Sequence, residues 1–372
     1  MKLHPITFLL KILTPLFFVL VLAGCGKSSG GDSYPFYVGT YTKGESEGIY
    51  RYILGKDGEL RKVALAAVSE NPSFLALSSD RKYLLAVNEN AEGTVESFQV
   101  KGDSLLLVNS SSSGGAHPCF VSTNNQGYIL TANYTGGNVG LLKMGERGKL
   151  SGLLDVQQHS GKGSTDRQTA PHAHSARFAP KDKGVISVDL GTNELWFSKI
   201  SDSDKKLMPT EPRKLGMAPG AGPRHLAFHP KNNWLYVVNE LDCTVTQLVE
   251  TESGKYEKAK SVSTLPEGFD GQNTCADIHA TADGKFVYVS NRGDESIAIF
   301  GVDAENGALS LVGHEKVRGK SPRNFALSPD ENFLIVANQL TNNIISFKRD
   351  KETGLLTYVS EIGAPTPVCI LF

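Results

Sequence analysis

Ser321-Pro322-Arg323-Asn324-Phe325-Ala326-Leu327-Ser328-Pro329-Asp330-Glu331-Asn332-Phe333-Leu334-Ile335-Val336-Ala337-Asn338-Gln339 is the stretch that decides the fold. A Pro opens a short apolar strand, and Pro329-Asp330-Glu331-Asn332 supplies the chemistry of a tight hairpin. A second apolar strand, Phe333–Asn338, ends in Asn, and Asn343–Lys348 reads as a third. The same pattern starts again at Asn71-Pro72-Ser73-Phe74, His117-Pro118-Cys119-Phe120, Ala173-His174-Ser175-Ala176, Gly222-Pro223-Arg224-His225 and Thr274-Cys275-Ala276-Asp277. Four short antiparallel strands in a unit of about fifty residues are the signature of a β-propeller blade. No segment sustains a 3.6-residue apolar period over three turns, which excludes an α-solenoid.

The chain ends supply one more unit. Pro365–Phe372 reads as a first strand with nothing after it. Tyr37–Thr42, Gly48–Leu54 and Leu60–Val68 read as second, third and fourth strands with no first strand before them. Joined, they complete a blade. The expected fold is all-β: a seven-bladed propeller closed by pairing its N- and C-terminal segments, which hides the sheet edges.

Composition agrees. Gly is 38 of 372 residues, an excess that suits many tight turns. Lys plus Arg is 38 against 39 Asp plus Glu, a net charge of −1, which argues against a nucleic-acid partner held by a positive field. Lys2 and Lys11 precede an apolar run that is too short to span a bilayer well and ends in Leu22-Ala23-Gly24-Cys25. Residues 1–24 therefore read as a lipoprotein signal peptide, Cys25 as the lipidated residue, 25–33 as a flexible tether and 34–372 as a single propeller. An ordinary secretory signal with an incidental Cys is the alternative. The expected protein is a monomer in the cell envelope, anchored by lipid to a membrane face. Cys119, Cys243, Cys275 and Cys369 form no Cys-x-x-Cys pair and read as buried single thiols.

In an antiparallel meander the start of strand one and the end of strand two share an edge, so these positions converge on one mouth of the propeller channel. The strand-one set contains His117, His172, His174, Arg224, His225, Asp277, His279 and Arg323. The strand-two set contains Glu89, Tyr134, Asp189, Glu240, Arg292 and Gln339 beside a repeated Asn. The Asn reads as a turn residue, whereas its neighbours differ blade by blade, as one asymmetric pocket requires. Arg224, Arg292 and Arg323 come from successive blades, and converging guanidiniums suit a carboxylate or phosphate. His172 and His174 could be half a metal site, but no third and fourth ligand is evident. The long loop from Gln157 to Pro171 enters the same mouth as a candidate flap, with Lys162 and Arg167 adding positive charge.

Pro171-His172-Ala173-His174-Ser175, Gly222-Pro223-Arg224-His225 with Phe228-His229-Pro230, Asn239-Glu240-Leu241, Ala276-Asp277-Ile278-His279 and Ser321-Pro322-Arg323 resemble the seven-bladed propeller lactonases. That family includes bacterial 6-phosphogluconolactonase and the fungal carboxy-cis,cis-muconate cyclase. The resemblance runs from about Tyr37 to Phe372. It implies hydrolysis of a sugar-acid lactone with no metal or organic cofactor, and by motif it places catalytic roles on His174, Arg224, Glu240 and Arg292. Glu240, with His174, would activate water, and Arg224 would stabilise the oxyanion. Arg292 and Arg323 would hold the anionic group of a small lactone or sugar acid. His172, His225, Asp277, His279 and Gln339 complete the expected substrate contacts. A lactone-opening isomerase and a non-catalytic binding propeller are the competing readings.

Overall fold

The computed structural model describes residues 1–4 and 33–372. The expected signal peptide, with its expected lipidation at Cys25, and the expected tether up to Asp32 lie outside the described residues apart from Met1–His4, which carry no regular structure. Ser33–Phe372 forms seven four-stranded antiparallel sheets. Blades 1 to 6 start with the inner strands Pro72–Leu77, Pro118–Thr123, Ala173–Phe178, Pro223–Phe228, Thr274–Ala280 and Pro322–Leu327. Blade 7 takes its inner strand, Pro367–Leu371, from the C-terminus. Its other three strands, Ser33–Thr40, Gly48–Gly55 and Leu60–Val68, come from the N-terminus. Val38 lies opposite Ile370 and Gly39 opposite Cys369. The second strand of this blade starts earlier than expected, because its ladder to the third runs back to Ser33 opposite Gly55.

The second strands are apolar without alternation, and the packing shows why. Every residue of Phe333–Asn338 is buried. Phe333, Ile335 and Ala337 pack towards blade 7 with Phe36, Val38 and Ile370, while Leu334 and Val336 pack towards blade 5 with Phe286, Tyr288 and Ile297. A blade is thus covered on both faces, and both halves of the period-two pattern must be apolar.

Repeated polar devices set the register. In three of the first hairpins a hydroxyl caps the turn: Ser78 to Asp80, Thr281 to Asp283 and Ser328 to Asp330, at 2.6–2.7 Å. The Asn ending each second strand donates to a backbone carbonyl in Asn133 to Ser113, Asn291 to Thr264 and Asn338 to Val317, at 2.8–3.0 Å. That Asn is structural, as expected. Gly307 and Gly354, at φ +75, turn the chain between third and fourth strands directly against Trp234 and Phe286 of the preceding blade. A side chain there would meet both backbone strain and a ring.

One feature positions the site. The register between strands one and two slips by one residue in every blade, directly after the opening residue of the inner strand in six of them and after the second, Cys275, in blade 5. A β-bulge kinks the strand and re-aims a side chain. The residue at the bulge is Ser73, Cys119, His174, Arg224, Asp277 (with Ala276), Arg323 and Val368 in blades 1 to 7.

Candidate active site

Two rings of side chains meet at one end of the channel. The bulge residues form the inner ring. The outer ring is the residue after each second strand, fixed by its N–H donating to the carbonyl just before the inner strand. Tyr41, Glu89, Tyr134, Leu190, Glu240 and Gln339 all make that bond. Arg292 stands at the same level, paired with Thr274. At the inner ring lies a small cavity of about 10 Å³, lined by Ser73, Phe74, Glu89, Cys119, Arg224, His225, Arg323, Asn324 and Val368.

Glu240 is 5% exposed and collects three guanidiniums. Its Oε2 accepts from Arg224 Nε at 3.0 Å and Arg292 Nη2 at 3.1 Å, and its Oε1 from Arg167 Nη2 at 3.1 Å. Burial would raise its pKa, but Arg292, Arg224 and Arg167 together hold it down to about 2. With both oxygens engaged by guanidiniums, Glu240 has the geometry of an anchor for the arginines and a weakened capacity for the proton-accepting role expected of it. Burial, then Arg292 and Arg323, lower Arg224 to about 10, so it remains a cation at neutral pH. Arg224 Nη1 donates to Ala276 O at 2.8 Å, which leaves Nη2 without a protein partner among the described residues. Arg292 is tied to Cys275 O at 2.8 Å. Among the described residues Arg323 has no carboxylate within 4 Å, and it lies over the Tyr41 ring, 5.5 Å from its centroid.

The structure also revises Asp277 and His279. Asp277 is 2% exposed. It bonds His225 Nδ1 at 2.8 Å, His279 Nε2 at 3.1 Å and Asn324 Nδ2 at 2.5 Å, and also accepts the Ile278 N–H. Its oxygens are engaged by blades 4, 5 and 6, so it ties the inner strands together, a structural role beside the substrate contact expected of it. His279 braces it from below, edge-on to Phe325. His225 does line the cavity, with Nδ1 donating to Asp277 and Nε2 3.3 Å from Arg224 Nη1. Gln339 stands on the outer ring, partly exposed, with no side-chain hydrogen bond among the described residues.

His172 and His174 do not converge as metal ligands would. His172 stacks on Tyr134 at 4.4 Å and donates Nδ1–H to Tyr134 O, so its Nε2 carries the lone pair. His174 is buried, edge-on to Tyr134 and His225, with Nδ1 3.6 Å from Cys119 Sγ. Burial, and then Arg224 and His225, hold it neutral. Among the described residues, no group of three or more His, Cys, Asp or Glu side chains could hold a metal ion. The thiols of Cys119, Cys243, Cys275 and Cys369, the cysteines among the described residues, are free and buried.

The loop from Gln157 to Pro171 does cover the mouth, as a strap pinned at two points. His159 Nδ1 bonds Asp189 at 2.7 Å and the ring stacks on Trp196. Gln168, fully buried, donates to Leu190 O and Asn193 Oδ1. Arg167 is held between Glu240 and Tyr134, whereas Lys162 is exposed. His229, part of a motif read in the sequence, sits at the far end of its strand. There its Nδ1 accepts the Asn232 N–H, and Nε2 donates to Gly284 O. Tyr41 was missed, and Glu89 was seen only as a register position. The signal for both is the outer-ring position itself, which the closing blade shares.

A pH prediction follows. His225 is lowered to about 4, first by burial and then by Arg224, so the native site resists a proton that the unfolded chain takes up near 6.5. Stability should fall as pH drops from about 6.5 to about 4, and again from about 4.5 towards 2 as Glu240 protonates. Thermal unfolding against pH should show both steps, and His225→Gln should shrink the upper one, leaving the part that buried His174 contributes. A midpoint that stays flat from neutrality down to pH about 4 would contradict the His225 assignment.

Fold and site together define a seven-bladed propeller with a cluster of arginines at its channel mouth. The chain belongs to the family described as lactonase, 7-bladed beta-propeller, whose profile matches residues 35–372. It is 40% identical over 346 residues to the 6-phosphogluconolactonase of Bacillus subtilis (strain 168), covering 91% of this chain and 98% of that one. A 6-phosphogluconolactonase of Formosa agariphila is 33% identical over 332 residues, covering 86% and 94%. The structure of the periplasmic gluconolactonase of Pseudomonas aeruginosa superposes with a TM-score of 0.87 at 29% identity, covering 91% and 98%.

Proposed function

We propose that this protein is a lactonase that opens an anionic sugar-acid lactone with water. The carrying observation is the arginine inventory of the mouth. Arg224, Arg292 and Arg167 share one carboxylate, and Arg323 has none among the described residues, so the pocket is short of anions. A substrate carboxylate or phosphate would complete it by paired hydrogen bonds. Arg224 Nη2 faces the position where the lactone carbonyl becomes an oxyanion, with Arg323 and Arg292 on the anionic group. The relatives described as 6-phosphogluconolactonases and gluconolactonase support the same chemistry.

The test is steady-state hydrolysis of 6-phosphogluconolactone and gluconolactone, with and without chelator. The phosphorylated lactone should show the higher kcat/KM. Arg323→Ala should remove a charge-assisted contact of about 1.5–3 kcal/mol, raising KM for the phosphorylated lactone about 10- to 100-fold and sparing the neutral one. Failure to open any member of a sugar-lactone panel would overturn the reading, and loss of activity with chelator would point to a metal-dependent lactonase.

We further propose that the enzyme works in the cell envelope. Leu22-Ala23-Gly24-Cys25 supports lipidation, and the Pseudomonas aeruginosa relative is described as periplasmic. Cys25→Ala should move the protein out of the membrane fraction. A wild-type protein that fractionates with the cytoplasm would exclude the anchor.

A further inference from the structure

Glu240 was the expected base, and its engagement with three guanidiniums weakens it as a proton acceptor. The candidates that line the cavity are few. Burial pushes the Cys119 thiol far up, so it is not a nucleophile near neutral pH. Both ring nitrogens of His225 face protein partners, Asp277 and Arg224. His174 and Glu240 are absent from the cavity lining; Glu89 is its only carboxylate.

Glu89 is held for such a role. Its backbone N–H is fixed to Asn71 O by the outer-ring bond. Its Oε2 accepts the Tyr41 hydroxyl at 2.8 Å, and Oε1 has no hydrogen-bond donor among the described residues. Tyr41 is itself fixed by its N–H to Thr366 O and by Arg323 over its ring. Burial keeps the phenol protonated, so it stays a donor. The pair joins two neighbouring blades: Tyr41 belongs to blade 7 and Glu89 to blade 1. Across the cavity stands Arg224 with its unpartnered Nη2.

We propose that Glu89 is the general base of the lactonase, with Tyr41 as the residue that positions it. The assignment rests on the lactonase reading above. Glu89 Oε1 takes a proton from a water whose oxygen adds to the lactone carbonyl carbon, and Arg224 receives the oxyanion. As the ring C–O bond breaks, the proton on Glu89 passes to the departing ring oxygen. Lactone and water give the hydroxy acid, and the carboxylate is restored.

The experiment is kinetics of the purified protein on 6-phosphogluconolactone, with chemical rescue. Glu89→Gln, isosteric and still able to accept from Tyr41, should lower kcat about 10²–10⁴-fold with KM within about threefold of wild type. Glu89→Ala should lose as much and regain about tenfold or more with added formate, whose carboxylate can occupy the vacated space. Glu240→Ala should show no formate recovery. Tyr41→Phe should lower kcat about tenfold at unchanged KM, an effect on chemistry that a merely structural contact would not produce. Thermal unfolding of each variant identifies any loss that comes from misfolding, and Glu89→Gln is the variant least exposed to it. Near-wild-type turnover by Glu89→Gln, or formate rescue of Glu240→Ala in its place, would overturn Glu89 while leaving the lactonase intact. A wild-type protein that opens no lactone would overturn both.

Discussion

Removing Val368–Phe372 is expected to abolish the cooperative fold. These residues form nearly all of the inner strand of blade 7, with Val368 and Cys369 each 2% exposed and Ile370 5%. Fully burying an aliphatic side chain contributes about 1.5–3 kcal/mol, so Val368 and Ile370 alone approach the net stability of about 5–15 kcal/mol typical of a domain. The deletion also takes Phe372 from Phe36, removes the Ile370 N–H donor from Asn324 Oδ1 and bares the edge of Ser33–Thr40. A bare edge recruits other chains. Thermal unfolding should lose its sharp transition, and solution size should shift to aggregates. A soluble deletion protein with an unchanged midpoint would contradict closure by this strand.

Glu240→Ala should be nearly as damaging, for an electrostatic reason. Arg224 is 2% exposed and depends on Glu240 as its one anionic partner. Removing one member of a buried ion pair costs about 3–5 kcal/mol, because the other charge is left without compensation. Arg292 and Arg167 lose the same partner, and three guanidiniums then repel across an empty place. Urea unfolding should show a loss of that size, with turnover below detection. Glu240→Gln keeps an acceptor for Arg224 and should fall between. The double variant Glu240→Leu, Arg224→Met should recover the part of the loss that comes from Arg224, leaving that of Arg292 and Arg167, and none of the activity. Should Glu240→Ala lose less than about 1 kcal/mol, the arginines would have to be held by other means.

The blades were legible because each repeats a local pattern. Pro, a hydroxyl–Asp turn and a terminal Asn recur at fixed offsets, and each acts within its own hairpin or on the chain just before it. The mouth was legible for the same reason: position along a strand fixes which end of the channel a residue occupies. Function at that mouth was less so. Asp277 and His279, two apart on one strand, read as a ligand-facing pair. The partners that occupy Asp277, His225 and Asn324, come from other blades 52 and 47 residues away. Glu240 read as a base because no local pattern shows that three arginines, one of them 73 residues upstream, converge on it. Tyr41 and Glu89 come from neighbouring blades, 48 residues apart, and no local pattern shows that the phenol reaches the carboxylate.

Bulges at the same place in all seven inner strands separate two kinds of inheritance. The flanking Pro and Asn keep the ladder, so the bulged position can vary without disturbing strand pairing. Across one chain it already holds Ser, Cys, His, Arg, Asp, Arg and Val. Such a scaffold suits combinatorial change: libraries at Ser73, Cys119 and Val368, small residues facing Arg224 and Arg323 across the cavity, would alter the volume and polarity met by the ring substituents of a substrate. Duplicated blades could diverge along this route into enzymes for different lactones without first having to learn to fold again.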